Sequence, residues 1–212
     1  MITHPLATPF RSTPLRSPVL WGVLALWFLA IMTLVQRGAF VGAEGTIPFP
    51  LAAAAAIPPL VYLLAYRTLA PLRAWVAALD LAWIVGAQAW RVIGIVFLFT
   101  SAAGDLPTIF ALTAGLGDLA VGAFALLVTL AVATRAAGWQ GKVRLLVIVG
   151  MADFVAAFGT ATLSGVGLPL YIASEGTPQL MLQSPLTMIP AFGVPLFIIL
   201  HLISWQKLRQ EG

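Results

Sequence analysis

Six long apolar runs separated by short polar stretches dominate the chain. They predict helices over about 18–36, 48–66, 74–102, 108–134, 143–166 and 185–205, each long enough to supply the ~20 residues that cross the hydrocarbon of a bilayer. The runs lack the apolar/polar alternation that barrel strands require. Inside lipid every backbone amide needs an internal partner, which leaves helices as the spanning element. The pattern therefore predicts an all-α, polytopic transmembrane bundle of about six helices over 18–206, with polar tails at 1–17 and 207–212. The loops are too short to bury a soluble core.

Composition agrees. Hydrophobic residues make up 61% of the chain and charged residues 8%, against roughly 25% charged in a soluble domain. A surface with so few charges belongs in lipid. The net charge of +4 comes from basic residues scattered singly between apolar runs, so nucleic acid is not an expected partner. The first run is too long for a typical signal-peptide core.

The placement of those basic residues predicts an orientation. Arg11, Arg16, Arg67, Arg73, Arg135, Lys142, Arg144, Lys207 and Arg209 fall on one side of the bundle, and Arg37 falls on the other with Glu44, Asp105 and Glu175. By the positive-inside rule both termini are cytoplasmic, and Trp21, Trp75, Trp139 and Trp205 form an aromatic belt on the same side. The expected location is a bacterial cell inner membrane.

Candidate chemistry lies in the polar groups within the apolar runs: Asp80, Gln88, Arg91, Asp118, Asp153, Thr160 and His201. An ionised group at a helix centre costs about 2.5–3.5 kcal/mol on insertion scales, so such groups turn inward to partners or water. Arg91 lies 11 residues before Ala102, and Asp118 lies 11 residues after Pro107 on the next helix. Both sit roughly 16 Å in from one boundary, which predicts a buried Arg91–Asp118 ion pair. Ala87, Gly94, Ala114 and Gly122 flank the pair and allow a close helix crossing. Asp80, 11 residues before Arg91, shares its face on an ideal α-helix and is placed near the cytoplasmic third. His201 is expected at a similar depth, sharing a face with Phe197 and Ser204. Gly150, Asp153, Ala157, Thr160 and Ser164 form a small, polar stripe on the fifth helix. Asp80, Gln88, Asp153, Thr160 and His201 are thus the candidate lining of a polar path. Pro58-Pro59 should break the second helix, and Pro190 and Pro195 should bend the sixth.

Several chemistries are set aside. The chain has no cysteine and two histidines, His4 and His201, so no thiolate site, bis-histidine haem, metal or other cofactor is expected. Lys142 and Lys207 lie at helix boundaries, which disfavours a Schiff base within the bundle. Ser164 and His201 fall near opposite faces, so they are not paired as a serine–histidine dyad. Gly115-Leu116-Gly117-Asp118 matches the GxGD pattern of intramembrane aspartyl proteases, with Leu79-Asp80 before it and Pro190-Ala191-Phe192 after it, loosely like the presenilin family. That family needs two aspartates at one depth. Asp80 and Asp118 differ by roughly 16 Å, and Arg91 would hold Asp118 ionised.

Trp90-Arg91-Val92-Ile93-Gly94 and Gly115-Leu116-Gly117-Asp118 resemble segments of uncharacterised bacterial six-helix integral membrane proteins. The resemblance covers helices three and four and implies the same topology. Three function classes remain. The first is a small transporter or channel-like protein with a polar interior around Arg91, Asp118 and Asp153. The second is a non-catalytic accessory or scaffold subunit of a larger membrane complex. The third is a membrane-embedded enzyme, for which no catalytic residue is assigned. The expected partners are the lipid bilayer and, through small-residue helix faces, other membrane subunits or a second copy.

Overall fold

The computed structural model describes residues 17–43 and 46–210. The expected N-terminal tail, with His4, Arg11 and Arg16, and also Glu44, lies outside the described residues. Those described form helices and no strand, and six helical segments are long and apolar enough to cross a membrane. The protein is a multi-pass transmembrane helix bundle. Successive spans run in alternating directions, so Pro18 and Gln210 lie at one end, called here the terminal end.

Helix α1 (Pro18–Gln36) has proline at its first turn, where the missing N–H costs nothing. Only Ile31 and Val35 of α1 are buried. They pack with Phe40, Leu51, Leu182 and Ala191, and Trp27 meets Phe192 at 4.6 Å between ring centroids. Helix α2 (Phe49–Thr68) carries Pro58 and Pro59 inside it and is not broken there, contrary to the expectation above. The carbonyls of Ala54 and Ala55 lose their ladder donors, but the helix continues on both sides, as membrane helices commonly tolerate.

The third run departs most from expectation. A short helix, α3 (Ala70–Ala78), ends at Leu79, and Asp80 starts α4 (Leu81–Gly86). The Asp80 carboxylate accepts a hydrogen bond from the Ala82 N–H at 2.8 Å, which is the geometry of an N-cap. The run therefore folds as a short helix and a separate span, not one helix over 74–102. Lys207 bridges the break by donating from Nζ to the carbonyls of Ala77 at 2.9 Å and Val76 at 3.4 Å. A cation there suits the C-terminal pole of α3. The span continues from α4 through a 3-10 segment (Ala87–Gly94) into α5 (Ile95–Ala102). Eight residues is long for 3-10 geometry, which rarely exceeds about 3–4.

Helix α6 (Thr108–Ala133) is the central element, packed against the third span and against α7 (Trp139–Leu163). Val85, Val121, Ala125, Val128, Val143 and Leu146 form the core at the terminal end. Helix α7 begins earlier than the 143 read from hydropathy, because Gly138, with φ of 72°, supplies the left-handed turn that starts it, and it ends at Leu163 rather than 166. The last span opens with a π turn (Ile189–Gly193) and continues as α8 (Val194–Gln210). It follows a series of hydrogen-bonded turns over 185–188, in which the Met188 N–H donates to the Pro185 carbonyl, rather than starting as a helix at 185. Tyr62 of α2 donates to the side-chain carbonyl of Gln206, tying α2 to α8.

Candidate functional site: an arginine shared by two aspartates

The site begins with the winding of the third span. In a 3-10 helix residues three apart eclipse one another. Gln88, Arg91 and Gly94 are spaced by three, and these are the residues the 3-10 segment buries. The tighter winding thus lines up a donor-acceptor amide, a guanidinium and a gap on one face toward α6, α7 and α8.

Arg91 is 1% exposed. Its Nε donates to Asp118 Oδ1 on α6 at 2.7 Å, and its Nη2 donates to Asp153 Oδ2 on α7. Nη1 donates to the Gly150 carbonyl at 3.2 Å and lies 3.4 Å from His201 Nε2 on α8. The guanidinium carbon stacks over the Phe154 ring, 4.0 Å from its centroid. A guanidinium offers only donors, so Nε2 of His201 faces it as an acceptor and the ring proton belongs on Nδ1. Gln88 Nε2 donates to the Phe197 carbonyl at 3.1 Å, one turn from His201. Gln88 Oε1, His201 Nδ1 and Thr187 Oγ1 are buried without a hydrogen-bond partner among the described residues.

Glycines make the room. A Cβ at Gly94 would fall 2.5 Å from Asp118 Cβ. A Cβ at Gly117 would overlap the Asp153 carboxylate, and one at Gly150 would overlap the His201 ring and press on Arg91 Nη1 at 3.0 Å. Three neighbours of Arg91 thus each occupy space left by a missing side chain.

The sequence-derived candidates separate accordingly. Arg91, Asp118, Asp153 and His201 come together, with Gln88 beside them. Asp80 does not join them. It caps α4, and the 3-10 winding breaks the register that would have aligned it with Arg91. Thr160 also stays apart, because its hydroxyl donates back to the Ala156 carbonyl at 2.8 Å. His201 lies level with Arg91 rather than in the cytoplasmic third, since its span starts at Ile189 and not at 185. The double engagement of Arg91 had a signal in the sequence. Asp118 is ten residues from the start of its helix and Asp153 ten from the end of its own, which is one depth once the true helix ends are used. Gly117 and Gly150 escaped notice as cut-outs because glycine is common in membrane helices.

Between the cluster and the other end of the bundle lies a cavity of about 100 Å³. Phe97, Phe110, Phe154, Phe158, Met181 and Leu182 contribute to its wall, and no charged residue lines it. Phe154 belongs to both features: its ring carries the Arg91 guanidinium and forms part of the cavity lining. The polar lining residues, Thr46, Thr162 and Gln179, all lie at the end away from the termini. Among the described residues no cluster suited to a metal ion is found.

One family model matches residues 48–209, from the start of α2 nearly to the end of α8. This chain belongs to the family described as domain of unknown function DUF8737. The DUF8737 match takes in every residue of the Arg91 cluster and leaves α1 outside. No curated protein and no solved structure matches the chain.

Proposed function

We propose that this protein is a small carrier of the bacterial inner membrane that moves a proton or another small cation by way of the Arg91 cluster, with both termini cytoplasmic. The charge count in the cluster carries this reading. A guanidinium stays protonated in proteins, and here it faces two carboxylates. With both ionised, the cluster holds one excess negative charge in surroundings that solvate it poorly. A proton on either carboxyl, or one small cation beside them, removes the excess. An exchangeable positive charge held between packed helices near mid-bilayer is what coupled transport requires. The distribution of Lys and Arg supports the orientation. The likeness of 90–94 and 115–118 to bacterial six-helix membrane proteins supports the setting.

The test is proton flux into vesicles that contain the purified protein and a trapped pH-sensitive dye. An imposed membrane potential should drive acidification, and Asp153→Asn should reduce it to the rate of protein-free vesicles. Flux in Asp153→Asn equal to that of the unaltered protein removes the cluster from the path.

A second reading, an accessory subunit of a larger membrane complex, is favoured by α1. That helix buries only Ile31 and Val35 and lies outside the family match. Crosslinks from its outer face to another protein in native membranes, together with no flux in vesicles, would select it.

A further inference from the structure

The cavity beside Phe154 has features that the carrier reading does not use. It is several times larger than the ~10–15 Å³ that holds one water, and a cavity walled by phenylalanine and aliphatic side chains gives water too few partners. Its polar and apolar linings are segregated along the membrane normal. Thr162 is one residue from the end of α7, while Phe154 is nine residues from it, a depth of roughly 13 Å. That is close to half of the ~30 Å hydrocarbon core, or one leaflet. The cavity is thus polar where headgroups sit and apolar down to the midplane. The mouth is built of neutral hydrogen-bonding groups, Thr46, Thr162 and Gln179. The loop that leads into Pro178 and Gln179 carries an acid, Glu175, which accepts from the Thr108 N–H at 2.8 Å, and Gly176 beside it packs against the Asp105 backbone.

We infer that the cavity between α6, α7 and the start of the last span binds a neutral lipid, a single hydrocarbon chain with an uncharged hydroxyl or ester head. The chain displaces no ordered water from the apolar inner end and meets no charge there. The head replaces its hydration by bonds to Thr46, Thr162 or Gln179. Anionic heads are disfavoured because no cation lines the cavity to neutralise them, while the loop that supplies Pro178 and Gln179 carries the acidic Glu175. Phe154 is the inner wall, so the chain end rests on the ring that supports the Arg91 guanidinium. The site stands whether or not the cluster carries protons.

The experiment uses the full-length protein in detergent micelles with a long-chain alcohol bearing a photoreactive group at its chain end. Mass spectrometry maps the label. Label is expected on the peptides that hold Phe154, Phe158 and Met181, with competition by unlabelled monoacylglycerol. Ala157→Trp and Ala161→Leu, which fill the cavity from α7, should each reduce that label to the level seen on lipid-facing α1. The corresponding fatty acid probe should label the site far less. Asp153→Asn should label like the unaltered protein, which separates this test from that of proton flux. Label spread evenly over lipid-facing helices, no competition, or full labelling of a folded cavity-filled variant would overturn the lipid site. Equal labelling by the fatty acid would overturn the neutral head. Should both filled variants fail to fold, competition and the fatty acid comparison on the unaltered protein still decide.

Discussion

At the residue scale the balance around Arg91 governs what substitutions do. The ion pair with Asp118 alone would make Asp118→Ala leave a buried guanidinium stranded. The second carboxylate changes that outcome, because Asp153 still neutralises Arg91 when Asp118 is gone. Removing the cation instead leaves two buried carboxylates facing each other. Arg91→Leu is therefore expected to cost more than Asp118→Ala: about 3–5 kcal/mol, the range for breaking a buried pair, against about 1–3 kcal/mol for one lost charged partner. Thermal unfolding in one detergent measures both, and the reverse order would show that Arg91 is not the hub. The glycines give a matched comparison on α7. Gly150→Ala must push into His201 and Arg91, and should cost about 1–3 kcal/mol as overpacking does. Gly159 has open space where its Cβ would stand, so Gly159→Ala should be neutral or stabilise by up to about 1 kcal/mol. Equal effects at the two positions would mean that the helices can part at no cost.

At the element scale Asp80 belongs to helix initiation and not to the polar interior. Asp80→Ala should lose about 1 kcal/mol, the usual value of a cap, while leaving proton flux intact. Loss of flux without loss of stability would return Asp80 to the path. The six spans were legible because hydrocarbon imposes long uninterrupted apolar runs. The break at Leu79-Asp80 was harder to see. An aspartate just before the apolar run from Leu81 is a helix-start signal, but the flanking runs are apolar too, so it read as a buried polar group within one helix. The 3-10 winding left no trace of the usual kind, having neither proline nor a glycine pair to mark it. Its sign was the three-residue spacing of Gln88, Arg91 and Gly94, visible only once burial was known. The depth of His201 failed for a related reason: the polar 174–184 stretch runs into an apolar segment that starts the span four residues late.

At the scale of the whole molecule the absence of cysteine makes the topology directly measurable. Single cysteines at Ala136 and at Gln210 should react with an impermeant thiol reagent from one face, the cytoplasmic one in the proposed orientation, and one at Gly104 only from the other. Reaction of Ala136→Cys and Gly104→Cys from one face would dismantle the alternating path of the spans. The family match runs over five of the six spans and takes in the polar cluster and all of the cavity lining except Thr46. The 3-10 segment has a mechanical consequence. Eight residues rising about 2.0 Å each, instead of 1.5 Å, make that stretch about 4 Å longer than an α-helix of the same residues. Arg91, inside that segment, is gripped from α6, α7 and α8. Were that grip to loosen as the carboxylates gain or lose a proton, the segment would retract toward ordinary α-helical pitch, and the displacement would surface at the junction where Lys207 holds the end of α3 or at the turn before Thr108. A chemical event at mid-bilayer would then register as a change in length at the membrane face.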